Sequence, residues 1–171
     1  SSENLQPFRK DFNFSRYKKF ISKEEHEELI KRCKPEKGDL LISKCGTIGI
    51  TQLIRTSDEF SIFVFLILIK LKNEKINKNF FEHLLNSNQL KQRMEISAPG
   101  STRKTLTIGA FSELEIWVPS LPEQKQIESI LSKINDQISQ QQSHMSNLKT
   151  MRKSILNSKL TPKMEEISVL N

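Results

Sequence analysis

The chain has 171 residues, which is enough for one ordinary globular domain and an additional segment. Hydrophobic residues make up 36% of it, so a sizeable core can form, and 27 Lys and Arg against 20 Asp and Glu give a formal charge of +7, which suits a polyanionic partner. The two cysteines, Cys33 and Cys45, exclude a disulfide framework and a CxxC zinc or redox site, so we interpret both as reduced thiols of a cytosolic, cytoplasmic protein. The longest apolar run, residues 60–69, is about half of the ~20 residues that a membrane helix needs, and we expect no membrane partner.

The first predicted element is a helix over Lys23–Arg32. Ser22 is a good N-cap, and Glu25 three residues later completes a capping box. Acidic residues in the first turn favour the positive end of the helix dipole. Pro35 ends the helix.

Three short strands are predicted next. Gly38–Ser43 has the pattern of a turn followed by a strand, Cys45–Gly49 that of a tight turn, and Ile50–Ile54 that of a second strand. The segment Ser61–Leu71, rich in Ile, Val and Phe, predicts a third, buried strand.

A second helix is predicted from the cap Asn77 to about Glu95. Its inner face would carry Phe80, Phe81, Leu84, Leu85, Leu90 and Met94. A loop over Ser97–Thr105 and a last strand over Leu114–Val118, which ends at Pro119, would complete the domain.

The sequence changes character at Pro119-Ser120-Leu121-Pro122, after which no Gly or Pro occurs until Pro162. This predicts one helix over Pro122–Ser158, about 55 Å long at 1.5 Å per residue. The predicted fold is therefore a mixed α+β domain followed by a long helix. The predicted boundaries are 1–120 for the domain, 121–160 for the helix and 161–171 for a tail.

The long helix carries a seam with the alternating four- and three-residue spacing of a coiled coil. The seam consists of Ile127, Leu131, Ile134, Ile138, Gln141, Met145, Leu148, Arg152 and Ile155. A compact domain of this size is only about 30 Å across, so the helix would overhang it, and we expect a partner helix in a parallel or antiparallel coiled coil. The polar Gln141 and Arg152 would fix register or orientation.

No enzyme motif is found. His26, His83 and His144 are scattered, without metal ligands at helical spacing, and the GxSxG, GxxxxGK[ST] and GxGxxG patterns are absent. We therefore expect no catalytic residue, no metal site and no cofactor in this chain.

Three polar and basic clusters could contact DNA. Arg103 and Lys104 are the only charged residues between Ile96 and Ser112. Arg and Lys side chains can hydrogen-bond to guanine or to phosphate. The alternative is that this is a solvated loop whose two charges have no binding role. Hydroxyl-bearing Ser101, Thr102 and Thr105 flank them, and Ser43, Lys44 and Thr47 form a second cluster around Gly46. The third is Arg9, Lys10, Arg16, Lys18 and Lys19, interleaved with Phe8, Phe12, Phe14 and Tyr17, aromatics that are more often core than stacking platforms.

Taken in order, these segments resemble the target-recognition domain and following helix of type I restriction–modification specificity subunits. The resemblance covers roughly residues 15–160, and its most specific part is the start of the long helix, Leu121-Pro122-Glu123-Gln124. The other matching stretches are Phe20-Ile21-Ser22-x-Glu24, Lys37–Ser43, Gly46–Gly49, Pro99–Thr102, Ile116–Pro119, the continuation of the long helix as far as Ile127, and Leu148–Leu156.

The resemblance implies a non-catalytic subunit that reads half of a split double-stranded DNA site. The resemblance further implies that two such domains are separated by two long helices, which dock two modification subunits that methylate adenine with S-adenosylmethionine. A restriction subunit completes the complex, and ATP and magnesium are expected on these partners. Compared with the pattern that the resemblance implies, this sequence corresponds to one domain and one helix, and the family's domain usually has a further stretch before the point where Ser1 begins. The chain is either a fragment of a longer subunit or a half-subunit that forms a homodimer and reads an inverted repeat. A coiled-coil adaptor with a basic globular head is the main alternative, and a nuclease with an unrecognised site is the third.

Overall fold

A computed structural model describes residues 5–8, 20–100 and 104–160. It has a mixed α/β architecture with a small three-stranded sheet and a long C-terminal helix. The chain divides into two compact units, Ser1–Leu131 and Ser132–Asn171.

Helix α1 spans Lys23–Arg32, as predicted. The Ser22 hydroxyl accepts a hydrogen bond from the Glu25 amide at 3.1 Å, which satisfies one of the free donors of the first turn. Acidic residues occupy the first turn and basic residues the last, so both ends complement the helix dipole.

The sheet consists of β1 (Leu40–Ser43), β2 (Thr51–Leu53) and β3 (Leu66–Ile69), in the order β2-β1-β3 and antiparallel throughout. The register pairs Leu40 with both Leu53 and Ile69, and Ser43 with Leu66. The central strand is buried along its whole length, which explains why its sequence is apolar without alternation.

The third strand is shorter than its apolar sequence suggests. The prediction of a strand over Ser61–Leu71 is wrong for its N-terminal half, where the Leu66 amide donates to the Phe63 carbonyl at 3.1 Å and closes a turn. Strand pairing is limited by the central strand, because β1 has only four residues and ends at Ser43, opposite Leu66. Strand length was therefore fixed by the partner and not by the apolar run.

The single helix predicted after Asn77 is two helices, α2 (Lys78–Leu85) and α3 (Asn88–Ser97). Asn77 caps α2 as expected, with Phe80 N donating to its Oδ1 at 2.9 Å. The break lies at Asn86, whose side-chain amide donates to Thr51 O at 2.7 Å while its Oδ1 accepts from Thr51 N at 3.2 Å. Asn86 thus hydrogen-bonds the end of α2 to the backbone of β2. Ser87 then caps α3.

The strand predicted over Leu114–Val118 does not form, and a short helix α4 (Ile108–Ser112) precedes the segment instead. In the described part of the chain this segment pairs with no strand, and strand propensity without a pairing partner does not make a sheet. Leu114 and Ile116 nevertheless pack against the core.

The core has two parts. The larger lies between the sheet and helices α2 and α3, and the smaller involves the residues of β1 and β3 that alternate with it. The larger part comprises Leu40, Ile42, Ile48, Leu53, Ile67, Phe81, Leu85, Leu90, Met94, Ala98 and Leu106, and the smaller Leu5, Leu41, Ile54 and Leu66. Phe80 is also buried, and Leu84 of the predicted inner face is half-buried.

Helix α5 spans Leu121–Leu160, which confirms the long helix. Its first turn is fixed by Gln124, a residue that is only 1% exposed. Gln124 Oε1 accepts from Asn77 N at 2.8 Å, and its Nε2 donates to Lys75 O at 3.0 Å and Pro119 O at 2.8 Å. The predicted tail, 161–171, lies outside the described residues. Across the described ranges, every helix is too short or too polar to cross a lipid bilayer.

Candidate nucleic-acid interface

The Gly46 turn is shaped from within by Ser43. The Ser43 hydroxyl is buried, donates to Thr47 O at 2.6 Å and accepts from Ile50 N at 2.9 Å. Gly46 and Gly49 have φ angles of +72° and +84°, a region that side chains disfavour. Of the predicted DNA-binding residues here, Thr47 is exposed and Lys44 half-buried, whereas the hydroxyl of Ser43 is used to hold the turn.

The predicted DNA-reading loop lies beside this turn. Thr105 forms an antiparallel bridge with Cys45, and the Leu106 amide donates to Lys44 O at 2.9 Å. The Thr105 hydroxyl also lies 3.4 Å from Cys45 Sγ. The structure therefore brings together two clusters that are distant in sequence, which the sequence did not predict. Ser101, Thr102 and Arg103, the other predicted residues of this loop, lie outside the described residues.

Helix α3 adds a third lysine that the sequence analysis missed. A Cβ atom built on Gly49 would lie 3.3 Å from Lys91 Cγ and 3.3 Å from Met94 Sδ, so the stem of Lys91 rests directly on the turn. The available signal was the position of Lys91 three residues before the core residue Met94, on a helix that must face the sheet.

We call this end of the sheet the lysine end, defined by Lys44, Lys91 and Lys104. Among the described residues none of the three forms a salt bridge. Lys104 is exposed, and its Nζ donates to the backbone carbonyl of Glu95 at 3.3 Å, a neutral acceptor. Within the described ranges, then, no carboxylate is paired with these three ammonium groups, an arrangement that suits an anionic ligand.

The opposite end of the sheet is electrostatically different. Lys70 Nζ lies 2.8 Å from Asp39 Oδ2 and 2.8 Å from Glu36 Oε2. Hydrogen bonding to Asp39, and then to Glu36, raises the pKa of Lys70, and its charge is offset there. Lys70 is therefore paired with two carboxylates, whereas the three lysines of the lysine end form no salt bridge among the described residues.

The third basic and aromatic cluster is mostly outside the described residues, since 9–19 are not described. Phe8, its first aromatic, stacks on His83 with ring centroids 4.5 Å apart and an interplanar angle of 13°. It is half-buried, as expected for an aromatic that packs within the protein.

The predicted seam of α5 divides between the two units. Ile127 and Leu131 are half-buried in the first unit. In the second unit the apolar seam residues have exposures between 45% and 59%; they are Ile134, Ile138, Met145, Leu148 and Ile155. Met151 and Leu156 beside the seam are also exposed, so the stripe is slightly wider than predicted. An exposed apolar stripe of this length is typical of a helix that contacts another protein surface.

The described residues contain no group of three His, Cys, Asp or Glu side chains that could hold a metal ion. Cys33 and Cys45 are both free. The sequence matches one protein-family model, described as the type I restriction modification DNA specificity domain, over residues 3–146. The matched range includes the whole sheet, the Gly46 turn, the loop that follows α3 and the first part of α5.

Proposed function

Because the chain belongs to the family of type I restriction–modification DNA specificity domains, we propose that its first unit reads half of a bipartite double-stranded DNA site with the lysine end of the sheet. The observation that carries this proposal is the bridge between Cys45 and Thr105, which joins the Gly46 turn and the Lys104 loop into one surface. Lysines on that surface, which form no salt bridge among the described residues, suit phosphates and guanine acceptors. Methylation and cleavage are then performed by other subunits, which carry S-adenosylmethionine, ATP and magnesium.

Different residues of this surface have different roles in the proposal. Arg103 and Lys104 contact guanine or phosphate, and the hydroxyl-bearing residues beside them contribute weaker hydrogen bonds. The hydroxyl-bearing residues are Ser101, Thr102, Thr105 and Thr47. Lys44 and Lys91 contribute charge at the base of the surface. Ser43 acts indirectly, because its hydroxyl holds the turn in shape.

The test compares lysines of opposite ends of the sheet. Arg103→Ala or Lys104→Ala should weaken binding to the cognate site by roughly 1–3 kcal/mol with relaxed specificity at one position if the residue reads a base. If it contacts a phosphate, binding weakens on all sequences and the slope of log affinity against log salt falls by about 1. Lys72→Ala, which removes an exposed lysine beyond the other end of β3, is the matched control. Equal cognate affinity in all these variants would remove the loop from the interface.

For the second unit, we propose that the exposed stripe of α5 pairs with another helix and docks the modification subunit. The pairing helix belongs to a second recognition half or, if this chain is a half-subunit, to a second copy. In that homodimer two identical domains would read an inverted repeat. A coiled-coil adaptor function is the second candidate, which the same exposed stripe favours.

Ile134→Asp tests the helix proposal. A charge in the seam should split the dimer or release the modification subunit, with the first unit still folded, as measured by light scattering and co-purification. Ser143→Asp is the matched control, because nine residues at 100° per residue place it on the opposite face of the helix. Equal assembly of both variants would refute the pairing.

The salt dependence of binding affinity distinguishes a DNA-reading protein from a coiled-coil adaptor. DNA affinity should fall steeply with salt through counterion release, whereas an apolar protein interface should change little. Methylome sequencing of cells that express the chain with its modification partner would then give the recognised motif and its symmetry.

A further inference from the structure

Three consecutive apolar side chains are exposed in the turn before β3. Phe63 is 56% exposed, Val64 46% and Phe65 40%. The bond from Leu66 N to Phe63 O at 3.1 Å closes this turn, which we call the aromatic turn (Phe63–Phe65). The two rings contact each other edge to face, with centroids 5.4 Å apart. The result is a small apolar surface of defined geometry.

The aromatic turn is directly attached to the lysine end of the sheet. The Lys44 amide donates to Phe65 O at 3.0 Å, while Lys44 O accepts from Leu106 N at 2.9 Å. The backbone of Lys44 is therefore bonded on one side to the aromatic turn and on the other to the loop of Lys104. All three segments present side chains at the same end of the sheet.

The core does not account for these side chains. In the described residues neither Phe63 nor Phe65 belongs to either core cluster, whereas the neighbouring Phe60 and Ile62 pack against the smaller one. Adjacent exposed apolar side chains are unfavourable in water and mark contact surfaces. Since Lys44, which forms no salt bridge among the described residues, is bonded to this turn through its backbone, the patch suits a ligand that offers apolar groups beside negative charge.

We propose that the aromatic turn contacts thymine methyl groups in the major groove, next to the phosphates or bases bound by the lysine end. This rests on the proposed DNA-reading function and makes the turn a further determinant of its specificity. The major groove presents thymine methyl groups between lines of phosphates, which matches an apolar patch flanked by lysines. Insertion between base pairs fits less well, because it would separate the two rings.

The test uses the full chain co-expressed with its modification partner and DNA probes of the recognised site. Each thymine is replaced singly by uracil, which lacks only the methyl group. For wild-type protein, replacement at one position should weaken binding about fourfold, the value of one buried methyl group. For Phe63→Ala and Phe65→Ala the uracil and thymine probes should bind equally, and the salt slope should match that of wild type.

Trp117→Ala is the control, because Trp117 is 87% exposed and precedes α5. It should keep the wild-type preference for thymine, and equal thermal unfolding midpoints for all variants exclude misfolding. Wild-type protein without any preference for its site would overturn the proposed function itself. A site-specific wild type that either lacks uracil sensitivity or keeps it in both phenylalanine variants would overturn only the aromatic-turn proposal. Loss of the modification partner with unchanged DNA preference would assign the turn to a protein contact and overturn it too.

Discussion

Replacing Gln124 should destabilise the packing of the first turn of α5 in the first unit. Gln124→Ala removes three hydrogen bonds of 2.8, 3.0 and 2.8 Å and leaves one backbone amide and two carbonyls without that partner. At about 1 kcal/mol for each lost bond, the free energy of unfolding should fall by about 3 kcal/mol. For a unit of this size, that corresponds to a decrease of about 10 °C in Tm.

Two further variants make the Gln124 prediction specific. Gln126→Ala removes the same side chain from an exposed position two residues later and should change stability by no more than about 0.5 kcal/mol. Gln124→Glu keeps an acceptor for the Asn77 amide, but at neutral pH it places a carboxylate beside the carbonyls of Lys75 and Pro119. It should therefore be at least as destabilised as Gln124→Ala. The measurements are calorimetry and urea unfolding, and equal Tm values for the Gln124 and Gln126 variants would refute the anchoring role.

Three more predictions concern the first unit, each checked by denaturant unfolding. Gly49→Ala should lower the free energy of unfolding by about 2–4 kcal/mol, because φ is positive and the new Cβ would lie 3.3 Å from Lys91 Cγ and Met94 Sδ. Gly46→Ala, which also has a positive φ but open space around it, should lower it by only about 1–2 kcal/mol. Equal losses in the two variants would contradict the packing of α3 on the turn. Glu82→Gln should lower the free energy of unfolding by about 3 kcal/mol, because the fully buried carboxylate forms a salt bridge of 2.6 Å with Arg55 Nη2. An unchanged stability would show that this ion pair is dispensable. Burial lowers the pKa of His83, and the nearby carboxylates of Glu82 and Glu128 oppose this effect. The unfolded chain therefore binds the proton at a higher pH than the folded chain does, and stability should fall as the pH drops below about 6.5. His83→Gln should lose this part of the pH dependence, and an unchanged pH profile of stability would refute the role of His83.

The sequence predicted correctly those helix ends and helix lengths that depend on residues close together in the chain. Ser22 and Asn77 cap their helices as expected, and the stretch without Gly or Pro after Pro122 is one helix. The strand expected within Gly38–Ser43 is also found, as β1.

Predictions failed where a distant partner decides the outcome. Asn86 ends α2 because it bonds to Thr51 in β2, a contact that helical periodicity cannot reveal. Leu114–Val118 has the composition of a strand but no strand to pair with among the described residues. For the same reason the candidate site was predicted only in pieces: Lys44 and Lys104 were named separately, and their proximity depends on the Cys45–Thr105 bridge.

That bridge also has an evolutionary consequence. The proposed recognition surface combines the Gly46 turn, the aromatic turn before β3, Lys91 of α3 and the Lys104 loop that follows α3. A crossover between two such genes that fell inside residues 49–97 would join the turn of one parent to the loop of the other. Such hybrids would combine contact residues that were never selected together. If this surface reads DNA, new sequence preferences should therefore be inherited as one block, exchanged at breakpoints outside residues 44–105.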